Sequence, residues 1–192
     1  MNLKTIIDNK EETLVVNKSK FICLVYKINS INDVSIYLDE VKKKYEGATH
    51  YCYAYILDNY TKCSDDKEPN GTAGLPILNV LKKKELNNVL VIVVRYFGGI
   101  KLGTGGLSRA YTNATINCLD NNLKEIIKGL KIELIFDYNQ VKKIDNLFDN
   151  VISKEFEDKI KYIVLIEKDK YLNIKDNLND IEINIIEDNI VI

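Results

Sequence analysis

A glycine-dense block between residues 95 and 111 is the feature that most constrains what this chain can fold into. It holds five of the nine glycines in the protein, Gly98, Gly99, Gly103, Gly105 and Gly106. An apolar run, Val89–Val94, precedes the block, and apolar residues recur at helical spacing from Leu107 to Cys118. A strand, a glycine loop and a helix in this order aim backbone N–H groups and the positive end of a helix at one place. The sequence therefore predicts a site for an anionic group at this loop.

Cationic side chains accompany these glycines. Arg95, Lys101 and Arg109 are candidate phosphate contacts together with Thr104, and Arg109 is expected in the first turn of the helix. A P-loop requires a lysine where Thr104 stands, and a dinucleotide fingerprint requires a glycine where Ser108 stands. The sequence therefore argues against nucleoside-triphosphate hydrolysis and Rossmann chemistry. An alternative is that the glycines only permit tight turns and close packing.

Two further segments supply candidate contacts. Gly71 and Thr72 lie just before a second helical pattern, so their amides form a second candidate anion site, although Thr72 is equally suited to cap the helix. His50, the single histidine, lies at the start of a predicted strand. It is a candidate phosphate contact or general base, and the alternative is a hydrogen-bonded structural role.

Metal and cofactor chemistry find little support. Asp65, Asp66 and Glu68 form a carboxylate cluster that suits magnesium, but such residues also stabilise turns. The four cysteines form no C-x-x-C pair, which argues against zinc and disulfides. No order of residues supports an activated nucleophile. We therefore assign no metal, cofactor or catalytic residue, and the sequence favours a non-enzymatic protein.

Composition describes an ordinary globular protein and limits its partners. The 192 residues are 46% hydrophobic and 29% charged, with a net charge of −1. A nucleic-acid contact must then come from a local patch, because the chain as a whole is not basic. The N-terminus lacks the apolar core of a signal peptide, and no apolar run approaches the roughly 20 residues of a membrane span. We expect a soluble, cytoplasmic protein without a membrane partner.

The character of the chain changes near Gly129. Strand and helix patterns alternate up to that point, and glycine is absent beyond it. The remainder has the order β-α-β-β-α-β, which is the ferredoxin-like arrangement. The sequence predicts an α+β protein with two domains, residues 1–128 and 129–192, each with its own core.

The motifs of the first domain resemble those of the YigZ/IMPACT family, in the segments 18–22, 48–55, 64–78 and 89–111. The C-terminal pattern is similar to the extra domain of the bacterial two-domain YigZ branch, itself similar to a domain of elongation factor G. The resemblance implies an N-terminal domain of the ribosomal-protein type (domain 2-like), with helices packed on a mixed sheet, and a link to translation. The chain departs from the family pattern at Asn70, where a small hydroxyl residue is common, and at Lys67, where glycine is common.

Three functional hypotheses follow. The first is a translation-associated protein that binds RNA, a ribosomal surface or a translation factor, with the cations on phosphates. The second is an enzyme or a binder that holds a phosphorylated small molecule in the same pocket. The third is a protein–protein adaptor that docks through the ferredoxin-like domain. Salt dependence separates the first two, because contacts with many phosphates weaken steeply with salt.

Overall fold

The computed structural model describes residues 3–58 and 60–191. Contacts divide the chain into two compact units, the first ending at Glu125 and the second beginning at Ile126. The predicted boundary residue, Gly129, lies within the first strand of the second unit. No helix in the described ranges is long and apolar enough to cross a membrane.

The first unit is built on a five-stranded sheet in the order β2-β3-β6-β4-β5, beside a two-stranded sheet of β1 and β7. Its elements are β1 (Lys4–Ile6), β2 (Lys10–Val16), β3 (Ser19–Lys27), α1 (Ile31–Lys44), β4 (His50–Leu57), β5 (Tyr60–Ser64), α2 (Gly74–Lys83), β6 (Val89–Tyr96), α3 (Gly103–Leu119) and β7 (Leu123–Glu125). A mixed sheet was expected, but each neighbouring pair of described strands is antiparallel. The reason is that β6 lies between β3 and β4 and runs opposite to both.

Strand β6 is buried on both faces, as its continuous apolar sequence predicts. Val91 and Val93 face the core that α2 and α3 cover, while Leu90 and Ile92 face the core that α1 covers. The central strand therefore contributes side chains to two hydrophobic cores, one on each face of the sheet. This burial fixes the position of its last residues, where the candidate site begins.

The glycine block is split between a loop and a helix. Helix α3 begins at Gly103, so three of the five glycines lie inside its first turn rather than in the loop. The predicted apolar stripe is confirmed, since Leu107, Tyr111, Ala114 and Cys118 are all buried in the core.

Strand β5 lies in a segment whose polar sequence predicts a loop. That predicted loop runs from Asn59, which lies outside the described residues, to Gly74. Tyr60–Ser64 instead pairs with β4 along the edge of the sheet. Cys63 is half-buried and packs against the core beneath α2 and α3.

The second unit is a four-stranded antiparallel sheet in the order β11-β8-β10-β9, covered by two helices. Its elements are β8 (Lys128–Phe136), α4 (Val141–Leu147), β9 (Val151–Phe156), β10 (Ile160–Glu167), α5 (Lys168–Ile174) and β11 (Glu182–Val191), with short 3-10 turns before α4 and after α5. This is the predicted ferredoxin-like topology. Its core contains residues such as Ile132, Leu134 and Val164.

Candidate anion-binding cleft

Five predicted site residues line one cleft in the first unit, with a volume of about 490 Å³. They are His50, Arg95, Lys101, Gly103 and Thr104. The other lining residues are Thr49, Glu68, Pro69, Phe97, Leu102 and Leu107. Residues distant in sequence meet because β4 and β6 pair side by side, with His50 directly opposite Arg95.

An ion pair closes the buried end of the cleft. Arg95 donates through Nη1 to Oε1 of Glu68 at 2.5 Å, and the two side chains are 6% and 3% exposed. The guanidinium also lies 5.4 Å from the Phe21 ring and 5.5 Å from the Phe97 ring. Arg95 was predicted as a phosphate contact. Its charge is instead neutralised by Glu68, because an unpaired charge at this depth would be strongly unfavourable.

Glu68 is held by a second donor. The hydroxyl of Tyr111 donates to the same Oε1 atom at 2.8 Å, and the Cys52 thiol donates to the Tyr111 oxygen at 3.3 Å. Burial raises the pKa of Tyr111 and that of Cys52 well above their ordinary values. Both groups therefore stay protonated at neutral pH, and Cys52 is not a nucleophile.

The hydrogen bonds of His50 fix which ring nitrogen carries the proton. Nδ1 lies 2.7 Å from the carbonyl oxygen of Asp66, which can only accept, so Nδ1 is the donor. In the neutral ring Nε2 is then an acceptor. Nε2 lies 3.8 Å from Oε1 of Glu68, which is also an acceptor, and the side chain is 15% exposed.

The exposed end of the cleft carries positive charge. Helix α3 begins here, its N-cap residue Leu102 makes no side-chain cap among the described residues, and its first turn contains no acidic residue. The amides at the start of a helix lack partners within it and carry partial positive charge. Gly103 and Thr104 belong to this turn, and the exposed Lys101 directly precedes the N-cap residue. The arrangement favours an anion.

The remaining predicted residues of the glycine block do not line the cleft. At Gly98 a Cβ atom would lie 2.0 Å from the backbone of Lys18, so close packing explains this glycine. Gly99 has φ of +83°, which favours glycine. Gly105 and Gly106 lie within α3. Arg109 is exposed in the second turn, because the helix starts earlier than predicted.

The second predicted anion site already faces an anion within the protein. One oxygen of Asp65 accepts from the Gly71 amide at 2.9 Å, and the other accepts from Ala73 and Gly74 at 2.9 and 2.8 Å. Burial raises the pKa of the Asp65 carboxyl, but the three N–H donors outweigh it, so the pKa lies below its ordinary value of 3.8. Asp65 therefore caps helix α2 from outside the helix.

Thr72 is not the cap of α2. Ala73 is the N-cap residue, and the Thr72 hydroxyl donates to the Pro69 carbonyl at 2.6 Å. Gly71 lines a different concavity of about 550 Å³, between α2 and α3. Neither predicted contact belongs to the cleft.

The three carboxylates considered for magnesium each have protein donors. Asp65 binds the amides before α2, Asp66 accepts from the Tyr51 amide at 2.6 Å, and Glu68 pairs with Arg95. The described part of the chain contains no group of three His, Cys, Asp or Glu residues placed to hold a metal.

Three residues that line the cleft or hold its lining in place were not predicted from the sequence. Glu68 was considered only as a metal ligand, and Tyr111 and Phe97 were given no role at the site. Phe97 is 47% exposed although it directly follows the buried strand β6. The pairing of Glu68 with Arg95 leaves no local pattern, because 27 positions separate the two residues.

The fold and the cleft define a two-unit α+β protein whose first unit has a cleft at a glycine-rich helix start, with the exposed cation Lys101 at its edge. The profile of the Impact N-terminal domain matches residues 17–119. The chain is 39% identical over 147 residues to IMPACT family member YvyE of Bacillus subtilis, covering 74% of this chain and 67% of that protein. It is 29% identical over 159 residues to IMPACT family member YigZ of Escherichia coli, covering 79% and 77%. The chain belongs to the IMPACT family, as its motifs predicted.

A solved structure shares the fold along nearly the whole chain. It is the crystal structure of a hypothetical protein, with a TM-score of 0.64 and 25% sequence identity, covering 97% of this chain and 98% of that one. The likeness extends over both units.

Proposed function

We propose that this protein is a translation-associated regulator that binds RNA, or an RNA surface of the ribosome, through the cleft of its first unit. The observation that carries the proposal is the uncapped start of α3 beside the exposed Lys101. Membership of the IMPACT family supports the association with translation, which the family resemblance implies.

The balance of charge in the cleft supports an anionic ligand. Glu68 and Arg95 neutralise each other, so Lys101 and the start of α3 determine the sign of the exposed end. A phosphate placed there can accept from the amides of Gly103 and Thr104 and pair with the Lys101 ammonium. These interactions need only a local positive patch, so they are consistent with a chain whose net charge is −1.

Beside this charged end lies an apolar surface. The exposed ring of Phe97 and the side chains of Leu102 and Leu107 line the same cleft. Proteins that bind single-stranded RNA stack bases on exposed aromatic rings. The combination of a phosphate site and an exposed ring favours RNA over a simple inorganic anion.

Salt-dependent binding of Lys101→Ala tests this proposal. Affinity for an unstructured RNA oligonucleotide is measured by fluorescence anisotropy at several salt concentrations. We expect weaker binding, and a slope of log affinity against log salt that is smaller by roughly 0.7, the contribution of one phosphate of a single strand.

The matched control is Lys62→Ala, which removes an equal charge from an exposed position of β5 that does not line the cleft. It should bind as the parent does. If the two variants are equal in affinity and slope, the cleft is not the RNA site.

A second candidate is a protein that holds a phosphorylated small molecule. Its support is the concave shape and the buried polar end formed by Glu68, Arg95 and His50, since small-molecule sites combine a concave wall with a few fixed polar groups. Tight binding of a sugar phosphate or a nucleotide, with no binding of RNA oligonucleotides, would favour this candidate.

A further inference from the structure

We propose that the cleft takes one unpaired ribonucleotide, with its phosphate at the start of α3, its base against Phe97 and its 2′-hydroxyl donating to Nε2 of His50. The inference rests on the proposed RNA-binding function. It narrows the ligand from RNA as a polyanion to a single nucleotide recognised inside the cleft.

The distribution of cations supports a single phosphate. Among the described residues that line the cleft, Lys101 is the one exposed cation, and Arg95 is paired with Glu68. A surface that follows a nucleic-acid backbone needs several cations along its length. Arg109, the nearest candidate for a second contact, does not line the cleft. A volume of about 490 Å³ is also typical of a pocket for a small ligand.

Donors and acceptors are separated along the cleft. The exposed end offers donors, namely the α3 amides and the ammonium of Lys101. The buried end offers acceptors, since Nε2 presents a lone pair in the His50 tautomer whose Nδ1 donates to Asp66, and the carboxylate of Glu68 presents others. A phosphate oxygen cannot donate to His50, whereas a ribose hydroxyl can. The matching ligand has an anionic group at one end and a hydroxyl donor at the other, as a ribonucleotide has.

Phe97 supplies a surface for the base. The residue is 47% exposed, and its backbone amide donates to Oγ1 of Thr49 at 3.1 Å, which fixes the chain at this point. An aromatic ring stacks on a base only when that base is unpaired and out of its helix. The cleft should therefore prefer single-stranded RNA to a duplex.

The decisive experiment changes the ligand and leaves the protein intact. Anisotropy is measured for the full chain with one sequence prepared as single-stranded RNA, as 2′-O-methyl RNA, as DNA and as an RNA duplex. We expect the RNA single strand to bind about tenfold more tightly than each of the other three ligands. For 2′-O-methyl RNA and DNA, the cause is the lost hydrogen bond to His50. For the duplex, the cause is that the base stays stacked in its helix. The salt slope should be near −0.7, the value of about one phosphate.

Three variants assign these effects to residues. His50→Asn keeps a donor for the Asp66 carbonyl but removes Nε2, so its affinity for RNA should fall to that for DNA while DNA binding stays unchanged. Phe97→Ala should weaken both single strands. Ile100→Ala is the control, because it shortens an apolar side chain that is 43% exposed and does not line the cleft. Thermal melts confirm that each variant is folded.

The outcomes separate this inference from the function on which it rests. Equal affinity for RNA, 2′-O-methyl RNA and DNA, or for single strand and duplex, would overturn the inference while RNA binding stands. A salt slope several times larger would also overturn it, because several phosphates would then be in contact. Binding of a nucleoside monophosphate without binding of any oligonucleotide would overturn both and favour the small-molecule candidate.

Discussion

Arg95 and Glu68 form a buried ion pair that joins the end of β6 to the loop before α2, at 2.5 Å between Nη1 and Oε1. The pair is almost entirely removed from water. Glu68 also accepts the Tyr111 hydroxyl of α3, so three elements meet at one carboxylate. This carboxylate therefore influences both the stability of the first unit and the shape of the cleft.

Glu68→Ala should lower the free energy of unfolding by about 3–5 kcal/mol, because Arg95 is then left as an uncompensated buried charge. Urea denaturation followed by circular dichroism measures the loss. Removing both charges, in Glu68→Ala with Arg95→Met, should be less harmful than the sum of the single changes.

The control for this prediction is Glu11→Ala. It breaks a pair with Lys44 of similar length, 2.7 Å, whose side chains are 39% and 60% exposed. That loss should stay within about 1 kcal/mol. An equally small loss for Glu68→Ala would contradict the importance assigned to the buried pair.

Because of Asp65, the free energy of unfolding should decrease as the pH falls into the acid range. Its pKa is lower in the folded protein than in the unfolded chain, so the unfolded chain takes up the proton more readily. The stabilisation is present above the unfolded pKa, about pH 4, and is lost as pH falls through the lower folded pKa. In Asp65→Asn this part of the pH dependence should disappear, and stability at neutral pH should fall by about 1 kcal/mol, because asparagine has one acceptor oxygen for the three amides and no negative charge at the start of α2.

Melting temperatures between pH 3 and pH 7 test the role of Asp65. Asp39→Asn, at an exposed position of α1, removes one carboxylate without removing a cap and is the matched control. A melting curve for Asp65→Asn that follows the parent at every pH would argue against the capping role.

Two glycines of the same block should respond in opposite ways to alanine. Gly98→Ala should destabilise the protein by at least about 2 kcal/mol, because its Cβ atom would overlap the backbone of Lys18. Gly105→Ala should stabilise it by about 0.5–1 kcal/mol, because Gly105 is helical and the new Cβ would lie 3.6 Å from the flexible Arg109 side chain. Equal effects in urea denaturation would show that the block acts as a single flexible loop.

The two units should fold independently as residues 1–125 and 126–192. Separate cores supply the reason, since the described hydrophobic clusters each draw on a single unit. Each fragment should show a cooperative thermal transition, and the shorter one should be less stable because a small domain buries less of its surface. A fragment that binds a hydrophobic dye and melts without cooperativity would indicate that its core needs the other unit.

The parts of the fold that were predictable carry a strong periodic pattern. β6 is apolar at nearly every position, and α3 repeats its core residues at helical spacing, so both could be located from sequence alone. Strand β5 could not, because Tyr60 and Lys62 are exposed at a sheet edge and leave no alternation of apolar residues. Its position is determined by pairing with β4, which is a tertiary effect.

The part of the candidate site that is formed by residues adjacent in sequence was predictable. Lys101 and the glycines that start α3 are adjacent in sequence, and they lie together in the structure. The cap that Asp65 provides to Gly74, nine positions away, and the contact of Glu68 with Arg95 depend on how distant segments meet. The sequence indicated an anion for the amides at Gly71, but the fold shows that this anion is one of the protein's own side chains.

Because the cleft is assembled from the start of β4, the loop before α2, the end of β6 and the start of α3, it exists only while the first unit is folded. Any molecule that occupies it is therefore thermodynamically linked to folding. At a free concentration one hundred times its dissociation constant, such a molecule adds about 2.7 kcal/mol to the stability of the fold. A thermal-shift survey of nucleotides and sugar phosphates can consequently identify the natural ligand of this protein without an assay for its activity.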